Sequence, residues 1–325
     1  MPALNEAPQK RRGSAPPREA SPRHFLTGEE LTGDELTALL GRAAALKAGR
    51  GERAGAEALA GRSIALFFEF PSTRTRVSFG VGVAELGAQP VLLRADELQL
   101  GRGETIADTA RVLSGYLHGI VIRSSSHETL AEFAGAAAIP VINGLTPLHH
   151  PCQALADLLT LRERFGELDG LTVAYVGDGN NVARSLAIAG RIAGVEVRVA
   201  TPPGYELEPG LAALDTNDPR EAAAGADALY TDVWVSMGER DADRKRADLG
   251  PYQLNEELLG LAAERAIALH CLPAHPGEEI TAGALYGPRS AVWDQAENRL
   301  HAQKALLELL IQLRREPKAR TPGRP

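Results

Sequence analysis

Cysteine is nearly absent: Cys152 and Cys271 are the only two in 325 residues. That is too few to frame so long a chain with disulfides, and it fits a reducing cytoplasm. Aromatic residues make up only 5%, so the cores must be packed from small aliphatic side chains. No apolar run approaches the roughly 20 residues that a membrane span needs. No hydrophobic stretch follows Lys10, Arg11 and Arg12, which speaks against a secretory signal. Positive charge is also short, with 35 Lys and Arg against 42 Asp and Glu for a net charge of −7. Nucleic acid is therefore not an expected partner. An anionic substrate would have to be gripped by locally concentrated Arg and His.

What is present points to a folded α/β protein. The length exceeds one ordinary core and suits two domains of about 150 residues each. Five prolines (Pro2, Pro8, Pro16, Pro17 and Pro22) make residues 1–22 an expected disordered tail, and residues 316–325 are expected to behave likewise. Thr27 with Glu30 and Thr32 with Glu35 both have capping-box spacing, so two helix starts are expected there. After Gly61, strands and helices alternate. Strands are expected at 63–68, 90–93, 119–122 and 140–142, with helices at 73–86, 105–117 and 127–137 between them. A helix at 153–165 bridges to a second series, with strands at 171–176, 195–200, 228–231 and 266–270 and a helix at 181–193. A long helix over 295–314 closes the chain. The expected fold is two domains, each a parallel sheet with helices on both faces, linked by helices. The boundaries are 23–152 and 153–294, with 295–315 packing back on the first domain. Ligands belong where strand C-terminal ends face a shared cleft.

The sharpest local signal runs from Phe68 to Arg76, Phe-Glu-Phe-Pro-Ser-Thr-Arg-Thr-Arg, where a buried strand gives way to a helix. Free backbone N–H groups and the helix dipole suit a phosphate there. Ser72, Thr73 and Thr75 add hydroxyls, and Arg74 can grip two oxygens at once. Arg123, at the end of a strand, is either a cleft cation or a surface charge. In His149-His150-Pro151-Cys152-Gln153, the second His and the Gln straddle a helix start and can point the same way. The imidazole suits a carbonyl oxygen and the amide suits an NH₂ group. Metal binding by the His pair with Cys152 is disfavoured, because no acidic or Cys partner follows at ligand spacing.

Gly177-Asp178-Gly179-Asn180-Asn181 invites a dinucleotide reading, but the third glycine and the ribose-binding acid are both missing, and the Asn pair at the helix start suits a polar substrate instead. Asp232, at another strand end, suits an ammonium group, and Ser236 suits a carboxylate. Residues 239–250 are densely charged and form either a solvated loop or a lid. Cys271, in His270-Cys271-Leu272-Pro273, is either inert packing or a substrate contact. A thiol-protease arrangement cannot be assembled around it. Arg299, on the last helix, is equally open.

Together these strings resemble the carbamoyltransferases, and among them the ornithine branch, over residues 24–314. The Ser-Met-Gly of 236–238 and the His-Cys-Leu-Pro of 270–273 favour that branch. The resemblance implies transfer of a carbamoyl group from carbamoyl phosphate to ornithine, giving citrulline without metal or cofactor. It makes Ser72, Thr73, Arg74, Thr75, Arg123, His150, Gln153, Cys271, Leu272 and Arg299 carbamoyl-phosphate ligands. Gln99 would reach the site from a neighbouring subunit, which implies a homotrimer. Asn181, Asp232, Ser236 and Met237 would bind ornithine, and Arg123, His150, Asp232 and Cys271 would carry the chemistry. Phe70 departs from the family pattern by removing a charge beside the phosphate loop.

Overall fold

A computed structural model describes residues 21–94, 103–235 and 241–312. The first half alternates α1 (Gly33–Ala48), β1 (Ser63–Phe68), α2 (Thr73–Glu85), β2 (Gln89–Arg94), α3 (Ile106–Ser114), β3 (Gly119–Arg123), α4 (His127–Ala136) and β4 (Val141–Leu145). Its four strands are all parallel, in the order β2-β1-β3-β4. Helix α5 (Pro151–Phe165) leads to β5 (Thr172–Val176), α6 (Asn181–Ala193), β6 (Glu196–Ala200), β7 (Leu214–Thr216), α7 (Pro219–Ala223) and β8 (Ala228–Thr231). Then come α8 (Ala242–Leu249), α9 (Glu256–Leu261), β9 (Ile267–His270), α10 (Ala282–Tyr286) and α11 (Val292–Gln312). The second sheet is also parallel, in the order β7-β6-β5-β8-β9.

Each sheet is covered on both faces, and the two-residue period of the strands shows how. Along β1, Ile64 and Leu66 join the core formed with α1, α2, α5 and α11, while Ala65 and Phe67 face α3 and α4. In the second sheet, Val173 and Tyr175 face the same large core, whereas Ala174 and Val176 pack with residues of α7, α9 and α10. Strand order reverses at β1/β3 in one sheet and at β5/β8 in the other. Crevices open at the carboxyl ends of strands flanking such reversals. These ends carry the Ser72 loop and Arg123 in the first sheet, and the Asn180–Asn181 turn and Asp232 in the second.

Two local expectations need correction. Thr32 does open α1 through a reciprocal box with Glu35, but Thr27 opens no helix. The Glu30 carboxylate instead accepts the N–H groups of Leu26, Thr27 and Gly28 and closes a turn. The charged segment is helical over α8 where a solvated loop was one expectation, with Lys245 paired to Asp178 at 2.7 Å. That ion pair ties α8 to the turn after β5. Residues 1–20, 95–102, 236–240 and 313–325 lie outside the described residues, and with them most of both expected tails.

Candidate active site

The first half of the site forms where β1 hands over to α2. Ser72 has extended backbone at the helix cap, yet its side chain makes no capping bond. Its Oγ instead accepts from Arg123 Nη1 at 2.9 Å. The first-turn N–H groups of α2 are thus left without a side-chain cap, as an anion requires. Thr73 and Arg74 are exposed on that turn, and Thr75 is buried. Glu69 faces away from this anion site: its carboxylate takes the Ser124 hydroxyl and the Ser125 N–H and hydroxyl, which locks the loop after β3. Phe70 lies beneath the Arg123 guanidinium, 4.6 Å from ring centroid to Cζ, where the ring face attracts the cation. The charge absent at position 70 is replaced by support for a charge already present.

Arg299 reaches in from α11 and is only 3% exposed. Its Nη2 donates to Thr75 Oγ1 at 2.6 Å and its Nη1 donates to Gln153 Oε1. Nη1 also lies 3.4 Å from His150 Nε2. An arginine nitrogen can only donate, so this geometry makes Nε2 the acceptor and assigns the ring proton to Nδ1. Burial, and then the charges of Arg299, Arg123 and Arg74, push His150 well below the usual imidazole range, so it is neutral at neutral pH. Burial, with Arg299 and Arg74 nearby, brings Arg123 down to about 10. Three buried donors, Arg123 Nε, His150 Nδ1 and Arg299 Nε, have no hydrogen-bond partner among the described residues. Like charges are concentrated here beside unpaired donors, and an incoming anion relieves both conditions.

The second half gathers at the ends of β5, β8 and β9. Asp232 is 6% exposed. It accepts the Cys271 thiol on Oδ1 at 2.7 Å and the Asn180 amide on Oδ2 at 3.0 Å. Burial, and then the Asp232 charge, push the Cys271 thiol well above its usual range, so it is a held donor and not a thiolate. His270, Cys271 and Asp232 place possible metal-ligand atoms within 4.8 Å of one another. Both nitrogens of His270 are already engaged, however, by Glu279 at 3.1 Å and by the Leu272 N–H at 2.8 Å. Leu272 follows with φ +60° and a cis bond to Pro273. Asn181 donates to the Thr146 carbonyl at 2.6 Å, tying α6 to the loop after β4. Cys152 donates to Asn143 O, and burial raises its thiol to about 12, unlike a metal ligand. Gly179 has a packing reason of its own: a Cβ there would sit 2.3 Å from the Tyr205 carbonyl oxygen.

Residues 23–163 match the family profile of the aspartate/ornithine carbamoyltransferase carbamoyl-P binding domain, and residues 169–310 match that of the Asp/Orn binding domain. The chain belongs to the aspartate/ornithine carbamoyltransferase family. Among curated relatives of this family, the ornithine carbamoyltransferase of Acidothermus cellulolyticus is 54% identical over 305 residues, covering 89% of this chain and 96% of that protein. That of Methanothermobacter thermautotrophicus is 54% identical over 267 residues, covering 78% and 88%. The solved ornithine carbamoyltransferase of Pyrococcus furiosus superposes with a TM-score of 0.86 at 45% identity, covering 90% of this chain and 98% of that one.

Of the residues expected from the carbamoyltransferase resemblance, contacts join Ser72 to Arg123, then Thr75, His150 and Gln153 to Arg299, and Cys271 to Asp232. Gln99, Ser236 and Met237 lie outside the described residues. Three polar residues beside the site, Asp157, Gln295 and Tyr230, were not expected. Asp157 accepts from Gln153 at 2.8 Å, Gln295 at 2.7 Å and the Tyr230 hydroxyl at 3.3 Å, all on Oδ1. Gln295 in turn accepts the His270 N–H at 2.9 Å. Asn180, one of the asparagine pair singled out at the helix start, is joined to Asp232. The spacing of Gln153 and Asp157, four residues apart on one helix, was a usable signal for the first of these.

Proposed function

We propose that the chain transfers the carbamoyl group of carbamoyl phosphate to the δ-amine of L-ornithine, giving L-citrulline and phosphate. The observation that carries this reading is the set of unpaired buried donors beside Arg74, Arg123 and Arg299, facing an acid held ready in the neighbouring half-site. The phosphate sits on the uncapped start of α2 with Ser72, Thr73, Arg74 and Thr75. The carbamoyl oxygen takes the His150 Nδ1–H, with Arg123 and Thr75 completing the oxyanion cradle. Removing one such donor costs roughly 3 kcal/mol, or about 100-fold in rate. Gln153 and the Leu272 backbone suit the carbamoyl NH₂ group. Asp232 receives the acceptor's ammonium, with Asn181, Ser236 and Met237 around the rest of the amino acid. The δ-ammonium must lose a proton before its nitrogen attacks. Because the Cys271 thiol stays protonated, the departing phosphate is the better proton acceptor. No metal or organic cofactor is needed, since every step is acyl transfer between bound groups.

The working division is residues 23–152 for carbamoyl phosphate and 153–294 for the acceptor. A cytoplasmic homotrimer is part of the same reading. Val77 and Val81 on α2, Leu92 on β2, Val112 on α3 and Tyr116 just after it are exposed, and they support self-association. Steady-state kinetics on ornithine, putrescine, N-acetylornithine, lysine and aspartate at saturating carbamoyl phosphate test the acceptor. Ornithine should lead in kcat/KM by at least about tenfold, because analogues leave buried polar groups unpaired. Equal rates with putrescine would overturn the acceptor assignment.

A further inference from the structure

The turn after β5 carries two adjacent asparagines, and the roles above use only Asn181. We infer that Asn180 is a positioning residue that fixes the Asp232 carboxylate for the acceptor's ammonium group. The inference rests on the reading of Asp232 given under the proposed function.

Asn180 caps α6. Its side-chain oxygen accepts the N–H groups of Val182 at 2.9 Å and Ala183 at 3.2 Å, and the Tyr175 hydroxyl at 3.2 Å. Turning the amide over would set its NH₂ against two backbone N–H donors and its oxygen against the Asp232 carboxylate, so only one orientation is available. In that orientation the nitrogen meets Asp232 Oδ2 at 3.0 Å. The cap thus holds the amide, and the amide holds the acid.

The acid needs such a partner. Among the described residues no cation pairs with Asp232, and its other oxygen takes only the neutral Cys271 thiol. Its negative charge is therefore not cancelled in advance. Each carboxylate oxygen keeps a further acceptor site, so an ammonium group can add without breaking either bond. A residue serving only as a cap could equally be Ser, Thr or Asp. Among the strong capping residues, only Asn offers a fixed amide donor on the opposite arm. The identity of residue 180 follows from the contact with Asp232 and not from the helix.

Two variants separate these roles. Asn180→Asp keeps the cap and puts a second acidic group against Asp232, where the two cannot both ionise freely. Asn180→Ser keeps the cap and removes the donor without adding charge. Both should raise the ornithine KM by about tenfold, the effect of losing one hydrogen bond to a charged group. The carbamoyl-phosphate KM should stay within about twofold, since its ligands are separate. The melting temperature should hold within about 3 °C. A wild-type ornithine KM in either variant overturns the inference. So does a lowered melting temperature with both KM values unchanged, which would make Asn180 a cap and nothing more. Asp232→Asn is the reference: if it leaves the ornithine KM unaltered, the reading of Asp232 fails as well. If it raises that KM while the Asn180 variants do not, the positioning inference alone is wrong.

Discussion

Replacing Arg74 with alanine should separate binding from folding. Arg74 is exposed on the first turn of α2, without a hydrogen bond to another described residue. Its charge weighs against those of Arg123 and Arg299. Without ligand the substitution removes repulsion and no contact, so stability should change by no more than about 0.5 kcal/mol. With ligand the loss is large. A guanidinium gripping two phosphate oxygens makes two charge-assisted hydrogen bonds of about 1.5–3 kcal/mol each. Their removal should weaken carbamoyl-phosphate binding by roughly 10²- to 10⁴-fold. Two assays read the two halves. Calorimetric titration gives the affinity directly. Thermal melting with and without ligand gives the linkage: at 100 times Kd the wild-type protein gains about 2.7 kcal/mol, and the variant should gain almost none at the same concentration. An unchanged affinity would refute the placement of the phosphate on α2. A large fall in ligand-free melting temperature would refute the claim that Arg74 bears no structural load.

Arg299→Lys should behave differently, because the guanidinium bridges Thr75 on α2 and Gln153 on α5 and a lysine cannot fork. We expect about 2 kcal/mol of lost stability together with weaker carbamoyl-phosphate binding; denaturant melts combined with titration check both. Asp157 gives a pH test. Burial drives its carboxyl up to about 7, against the opposing effect of donors from Gln295, Gln153 and Tyr230. A carboxyl raised above its unfolded value favours the folded state less as pH rises from about 4 to about 7, where the unfolded chain has released the proton and the folded one has not. Asp157→Asn should remove that slope, so its stability relative to wild type should improve by up to roughly 4 kcal/mol between pH 4 and pH 8. Parallel slopes in urea melts across that range would contradict the assignment.

The sheets were legible because β1, β3, β5 and β8 are short apolar runs buried on both faces, and each ends in a polar or glycine-rich turn. The uncapped helix start at Ser72–Arg76 was legible as a candidate anion site because a strand, a helix start and hydroxyl and guanidinium side chains coincide in one short stretch. Arg299 was ambiguous for a physical reason: its partners Gln153 and Thr75 lie 146 and 224 residues away in the chain, and no local pattern encodes such a meeting. Thr27 with Glu30 matched a capping box, yet the glutamate had three backbone donors to satisfy in a turn. Helix α8 was hidden by its charge, since a helix anchored by the Lys245–Asp178 and Arg246–Glu278 ion pairs shows little apolar periodicity. Strand β7 and helices α7, α9 and α10 span only three to six residues, too few for a period to register. Asn180 stood out only as one of an asparagine pair at a helix start, and its bond to Asp232, 52 residues on, has no local signature.

Helix α11 sets an order on the birth of the protein. Leu306, Leu307, Leu310 and Ile311 belong to the same core as Phe25, Leu36, Leu40 and Phe79. The fit is tight enough that a Cβ on Gly119 of β3 would come within 2.4 Å of Ile311 Cδ1. The first sheet is translated by Leu145, but the helix that closes this face is complete only about 170 residues later, an interval of roughly 10–30 s at ordinary ribosome speeds. Throughout most of that interval the nascent first half lacks Arg299 and the apolar face of α11, so it can neither finish its core nor bring a guanidinium to Thr75 and Gln153. A ribosome stalled before Val292 would leave a chain with every strand of both sheets in hand and one wall of the first domain missing, a ready substrate for chaperones and proteases.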